Sequence, residues 1–151
     1  MLISKQIPVN PRIFIDSDVL FAGSASPSEQ GASMVLLRMA EITLIDAVVS
    51  QQVLTEVERN LTVKIPSALP KFHYLVSRCI TIVPSPSASI INTYNGLADS
   101  KDLPILVAAI QAKAPWLVTF NIRHFQPGHP DVAILRPGAL LLRVRGLLGH
   151  L

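Results

Sequence analysis

An α/β domain on a mainly parallel sheet is the fold class that this sequence predicts, and three observations predict it. Short β-favouring apolar runs alternate with segments of helical periodicity, the order that right-handed β-α-β crossovers require. The runs are apolar on successive residues, as in strands covered by helices on both faces. The segment Leu103–Ala112, LPILVAAIQA, is apolar nearly all round, which suits a helix buried in such a domain.

Each element follows in order. Ile13-Phe14-Ile15 reads as a buried strand that stops at Asp16. Ser26-Pro27-Ser28-Glu29 forms a capping box with proline at the first helical position, opening a helix with Met34, Val35, Leu36, Leu37 and Met39. Ile42-Thr43-Leu44-Ile45 reads as a second strand, and Ser50 caps a helix carrying Val53, Leu54, Val57 and Leu61. Residues 66–78 read as helical, Ile80-Thr81-Ile82-Val83 as a strand, and 85–97 as weakly helical. Pro104 lies in the first turn of the buried helix, where the ring is tolerated. Trp116–Phe120 is a further buried strand, Val132–Leu135 an edge strand, and Gly138–Leu148 a last, Leu-rich helix bearing Arg143 and Arg145.

A chain of 151 residues suffices for one core of ordinary size, so residues 1–151 are expected to form a single domain. Half the residues are hydrophobic and only 15% are charged, against about 25% in typical domains, which excludes disorder. It also leaves apolar surface for a partner chain to cover. Thirteen Lys+Arg against ten Asp+Glu give a formal charge of +3, which permits an anionic partner without demonstrating one. Cys79 is alone, so no internal disulfide framework exists, and a reducing cytoplasm is the expected setting. The segment Met1–Arg12 lacks the apolar run of a signal peptide, and no apolar stretch reaches the ~18 residues of a membrane span.

In parallel sheets, ligands bind beyond the carboxyl ends of the strands. Asp16 and Asn121 each follow a strand, and Asp102 heads the buried helix with Asp99 and Ser100 just before it. The plain alternative for Asp99 or Asp102 is a helix cap, for Asp16 a turn after the strand, and for Asp18 a turn or helix cap. Glu56 and Glu58 lie on opposite margins of the apolar stripe of their helix, and periodicity does not choose between them. Acids gathered at one edge without thiols or a histidine pair attract a hard cation, Mg²⁺ or Mn²⁺. Such a site suits hydrolysis of phosphoryl esters. Arg12, Lys101, Lys113 and Arg123 are candidates for holding a polyanionic substrate, although a solvated charge is the ordinary role of each.

RIFIDSDVLFAG (Arg12 to Gly23) resembles the opening strand and turn of the PIN domain family, and SQQVLTEVERNL (Ser50 to Leu61) is similar to its Ser-started helix with an acid at the place of Glu56. ADSKDLPILVAAIQAKAPWLVTFNIRHF (Ala98 to Phe125) resembles the family's acid-headed buried helix and the strand that follows. The branch it resembles is that of the VapC-like toxins of prokaryotic toxin-antitoxin pairs. The resemblance implies a three-layer α/β/α sandwich and a Mg²⁺-dependent (or Mn²⁺-dependent) endoribonuclease, silenced by a cognate antitoxin and assembled as a homodimer. It implies Asp16 and Asp102 as primary metal ligands, with Glu56 completing the site directly or through water. Asp18 would support the first acid, and Thr119 and Asn121 would shape the site. Many relatives carry an acid at the place of Asn121 or His124, and here neither is acidic; His124 is then a coordinating or proton-shuttling group, or a surface histidine. GALLLRVRGLLGHL at the carboxyl terminus either packs on its own domain or helps to bury a partner segment.

Two rival readings stand beside this one. A non-catalytic PIN-like module for RNA binding or assembly fits the missing fourth acid. A haloacid-dehalogenase-type phosphatase would use Asp16-Ser17-Asp18 as nucleophile and acid, but that motif is short.

Overall fold

The computed structural model describes residues 10–28 and 31–148. The amino-terminal segment read for a leader, up to residue 9, and Glu29 of the capping box lie outside them.

Five strands, β1 (Arg12–Ile15), β2 (Asp46–Ser50), β3 (Ile80–Val83), β4 (Trp116–Val118) and β5 (Ala133–Leu135), form one sheet in the order β3-β2-β1-β4-β5. Every pairing is parallel, so the mainly parallel sheet expected is wholly parallel. Ile13, Phe14 and Ile15 have no solvent exposure, as expected of the central strand of a sheet covered on both faces. Among the described residues there are seven α-helices: α1 (Ser17–Ala25), α2 (Ala32–Glu41), α3 (Gln51–Lys64), α4 (Leu69–Cys79), α5 (Ala88–Thr93), α6 (Leu103–Gln111) and α7 (Pro137–Leu148). The chain runs one way from β1 through β2 to β3 and the other way through β4 to β5. Right-handed crossovers therefore place α1–α4 on one face and α5 and α6 on the other, the three-layer α/β/α arrangement.

Helix α6 buries Leu103 and Ile105–Ala109, its apolar circumference packed on nearly every side, with Pro104 in the first turn. Helix α3 starts where expected: Ser50 Oγ accepts from the Val53 amide, and Val53, Leu54, Val57 and Leu61 are buried. Helix α7 packs against α2 and buries Leu140 and Val144, so the terminal helix covers its own domain, while Leu142 remains exposed. None of the described helices is long and apolar enough to cross a membrane.

Three elements differ from expectation. Helix α1 was not expected; it begins directly after β1, capped by Asp16, whose side chain accepts from the Ser17 amide. Its residues, SDVLFAGSA, show no apolar stripe, so periodicity does not reveal it. Ser26 then ends α1 instead of opening α2, which starts at Ala32 after Gly31. The second strand lies at Asp46–Ser50, four residues beyond Ile42–Ile45. Residues 42–44 are consumed in ending α2: the Ile42 amide donates to Arg38 O, Leu44 to Met39 O, and Thr43 adopts φ 63°. Asp46 opens the strand because its amide donates to Pro11 O and its carboxylate meets Arg12.

Candidate active site

The reversal of chain direction between β1 and β4 opens a crevice at the carboxyl edge of the sheet. Asp16 leaves β1 there and Thr119 leaves β4 beside it. A cleft of about 300 Å³ occupies this point, and Asp16, Asp18, Glu56 and Asp102 all line it, together with Asn121 and His124.

Asp16 is 5% exposed. Its Oδ1 accepts from the Ser17 amide at 2.8 Å and its Oδ2 from Thr119 Oγ1 at 2.8 Å, so helix start and strand end fix the carboxylate together. Burial, and then the neighbouring Asp18 charge, raise its pKa from 3.8 to about 7. Asp18 Oδ2 accepts from the Phe120 amide (3.0 Å), Asn121 Nδ2 (3.1 Å) and Thr119 Oγ1 (3.4 Å). Its Oδ1 is buried with no hydrogen-bond partner among the described residues, and burial raises this carboxyl's pKa too. The amide of Asn121 thus donates where an acid would repel Asp18.

The ambiguity on α3 resolves by position. Glu56 Oε2 accepts from Ser17 Oγ at 2.8 Å inside the cleft, whereas Glu58 pairs with His73 at the surface. Asp102 occupies the N-cap of α6 but makes no capping bond with its side chain, so capping does not account for its carboxylate. Burial raises its pKa, against the opposing charge of His124, whose Nδ1 lies 3.4 Å from Asp102 Oδ2. Asp99 stands alongside, exposed, its amide donating to His124 O. Among the described residues, Asp99, Asp102 and His124 bring one ligand atom each to within 4.8 Å of one another. Two carboxylates and an imidazole are a donor set for a divalent cation, Mn²⁺ as readily as Mg²⁺.

A cation also answers what the acids lack. Four carboxylates share one cleft, one oxygen is buried without a donor, and one carboxyl holds its proton up to about neutral pH. These residues fit a divalent ion.

The basic candidates divide. Lys101 lines the cleft, and Arg123 lies exposed in the 3-10 turn after β4. Arg12 and Lys113 belong to the opposite end of the sheet. Arg12 Nε meets Asp46 Oδ2 at 2.9 Å and Nη1 donates to Ala112 O at 2.9 Å, tying β1 to β2 and to the end of α6. Its role is structural because a residue that opens β1 cannot share an edge with one that closes it. Arg12→Ala should cost about 1 kcal/mol of stability and leave any cleft activity unchanged, checked by thermal unfolding beside an assay. Sequence reasoning missed Ser17, Phe21, Asn60 and Lys64, which also line the cleft. Asn60 and Lys64 repeat the position of Glu56 at intervals of four along α3, and that spacing is visible in the sequence.

A family model described as PIN domain matches residues 12–123. Among solved structures, the fold is similar to VapBC2 from Rickettsia felis bound to a DNA fragment from their promoter. That likeness has a TM-score of 0.62 and 20% identity, covering 82% of this chain and 96% of that one. FitAcB from Neisseria gonorrhoeae is similar at a TM-score of 0.56 and 17% identity, covering 83% of this chain and 98% of that one. None of the curated proteins matches.

Proposed function

The chain belongs to the PIN domain family, whose members are generally nucleases, and from that premise we propose that it is a Mg²⁺- or Mn²⁺-dependent endoribonuclease. The reading is supported most directly by the convergence of Asp16, Glu56 and Asp102 on one cleft, beside an Asp18 oxygen buried without a partner. Asp16 and Asp102 are the principal ligands of the ion, with Glu56 completing the set directly or through water. Asp99 and His124 extend it on the Asp102 side. When bound, the ion offsets the negative charge of a phosphodiester and promotes attack by water. Asp18, Thr119 and Asn121 act as positioning residues: Thr119 donates to Asp16, and Asn121 to Asp18. A bound cation would favour the ionised form of Asp16, whose carboxyl burial otherwise holds protonated up to about pH 7. Lys101 and Arg123 draw the polyanion towards the cleft.

The expected setting is the cytoplasm. The VapC-like sequence pattern supports a toxin role, a cognate antitoxin protein as partner, and a homodimer. Co-expression with an adjacent short reading frame should then relieve growth arrest. A second reading, an RNA-binding or assembly module without catalysis, draws on the absence of an acid at Asn121 and His124. Membership of the PIN family leaves the phosphatase reading without support.

The test combines the purified protein, RNA and metal. With Mg²⁺ or Mn²⁺, RNA should be cut and EDTA should stop the cutting; cleavage that persists in EDTA sinks the nuclease reading. A saturating cation should also raise the melting temperature by about 5 °C or more, since ligand at a hundred times its Kd adds about 2.7 kcal/mol. Cation binding without cleavage of any RNA favours the module.

A further inference from the structure

The cleft contains a side that the acids do not use. Along α3, Glu56, Asn60 and Lys64 succeed one another at four-residue intervals, and all three line the cleft with Phe21 of α1. Lys64 Nζ lies 5.9 Å from the centroid of the Phe21 ring. Lys64 makes no ion pair among the described residues, although four carboxylates line the same cleft. The other lysine there, Lys101, adjoins Asp102 in sequence, and its charge favours the ionised form of that acid. Asn60 is half-buried, and its amide makes no hydrogen bond among the described residues. An ammonium without an ion pair, an amide without a hydrogen bond and a half-buried aromatic ring beneath the ammonium thus line the same cleft as the acids. Lys64 is about 12 Å along α3 from Glu56, by the rise of eight residues.

We propose that Phe21, Asn60 and Lys64 form a track for single-stranded nucleic acid leading away from the acids, an inference that rests on the nuclease reading above. The distance along α3 keeps Lys64 from the phosphate being cut and brings it to phosphates further along the strand. A charge there offsets the repulsion between a polyanion and four carboxylates. Phe21 supplies a face or edge against which an unpaired base stacks, and the Asn60 amide meets a base edge or sugar between the two. A duplex keeps its bases stacked inside and offers Phe21 nothing, so the track discriminates against double strands.

The experiment measures binding in EDTA, where nothing is cut. Wild type, Lys64→Gln and Phe21→Leu are titrated with a fluorescein-labelled unstructured oligoribonucleotide, and with its duplex, over a series of KCl concentrations. Leucine keeps the burial of position 21 without its ring. Lys64→Gln should weaken single-strand binding several-fold and reduce the slope of log affinity against log salt by about 0.7. Phe21→Leu should weaken it about five-fold or more with the slope unchanged, and leave the duplex unaffected. In the cleavage assay, Lys64→Gln should raise KM and spare kcat. Variants that bind like wild type overturn the track, as does an equal loss on the duplex, or a fall in melting temperature with no change in affinity. Cleavage by wild type read in parallel separates the two ideas. Cutting with unaltered variant affinities leaves the nuclease and removes the track. Track-dependent affinity without cutting does the reverse.

Discussion

Asp16→Asn should lower metal-dependent RNA cleavage by about 10²–10³-fold or more while making the metal-free protein more stable at pH 8. The two effects share one cause. Asp16 is buried at the crevice and its pKa lies at about 7 in the folded chain, against 3.8 for the free group. Below about pH 4 both states hold the proton and the group adds no pH dependence. Between about 4 and 7 the unfolded chain has released a proton that the folded chain keeps, so metal-free stability falls as pH rises. Above 7 the loss is complete, with an upper bound of about 4 kcal/mol. Asp18 and Asp102, also raised by burial, push the same way. Asparagine removes the charge and keeps the contacts: it caps α1 as well as aspartate does, and the Thr119 hydroxyl can accept from its amide. The melting temperature of the variant in EDTA should therefore gain on wild type from pH 5 to pH 8, while Mg²⁺ stabilises wild type and not the variant. An equal offset at both pH values, or cleavage at the wild-type rate, would refute this account.

What was legible in the sequence followed from how uniformly each element is solvated. β1 and α6 are buried all round, and α3 has one apolar stripe and a serine cap, so each announces itself through composition or periodicity. α1 is short, carries Gly23 and three serine or alanine positions near its end, and buries Val19 and Leu20 without a stripe. Its signal was Asp16, whose role as strand terminator concealed its role as cap. The second strand was displaced because Ile42 and Leu44 are β-favouring residues used to end a helix, and local preference does not see the contact of Asp46 with Arg12. The same blindness to distant partners made Arg12 look free and left Glu56 and Glu58 undecided. Placement of Glu56 needed Ser17, thirty-nine residues away, to donate to it. The acids were visible as residue types at strand and helix ends, whereas Asp99, Asp102 and His124 form a group only because the turn after β4 returns to the start of α6.

Phe14→Ala should separate the scaffold from the chemistry in the opposite sense to Asp16→Asn. Phe14 sits in the central strand, fully buried, in register with Val48 of β2 and Leu117 of β4. Truncation removes the transfer energy of the ring and leaves a cavity that neighbours on a paired strand cannot fill, a cost of about 3–5 kcal/mol. For a chain of this size, that lowers the melting temperature by about 10 °C, measured by circular dichroism or calorimetry. Phe14→Leu should lose less than half as much, because most of the volume remains. Below the transition, the folded fraction of Phe14→Ala should bind the cation and cut RNA close to the wild-type rate, since the hydrogen bonds that hold Asp16 come from Ser17 and Thr119 and not from the ring. A melting temperature within about 2 °C of wild type would show that the centre of the sheet is not where stability resides. The burial of Phe14 and the burial of Asp16 are two sides of one arrangement: the ring contributes about as much as the isolated carboxylate costs, and the site can hold a destabilised acid because the strand that carries it is packed on both faces.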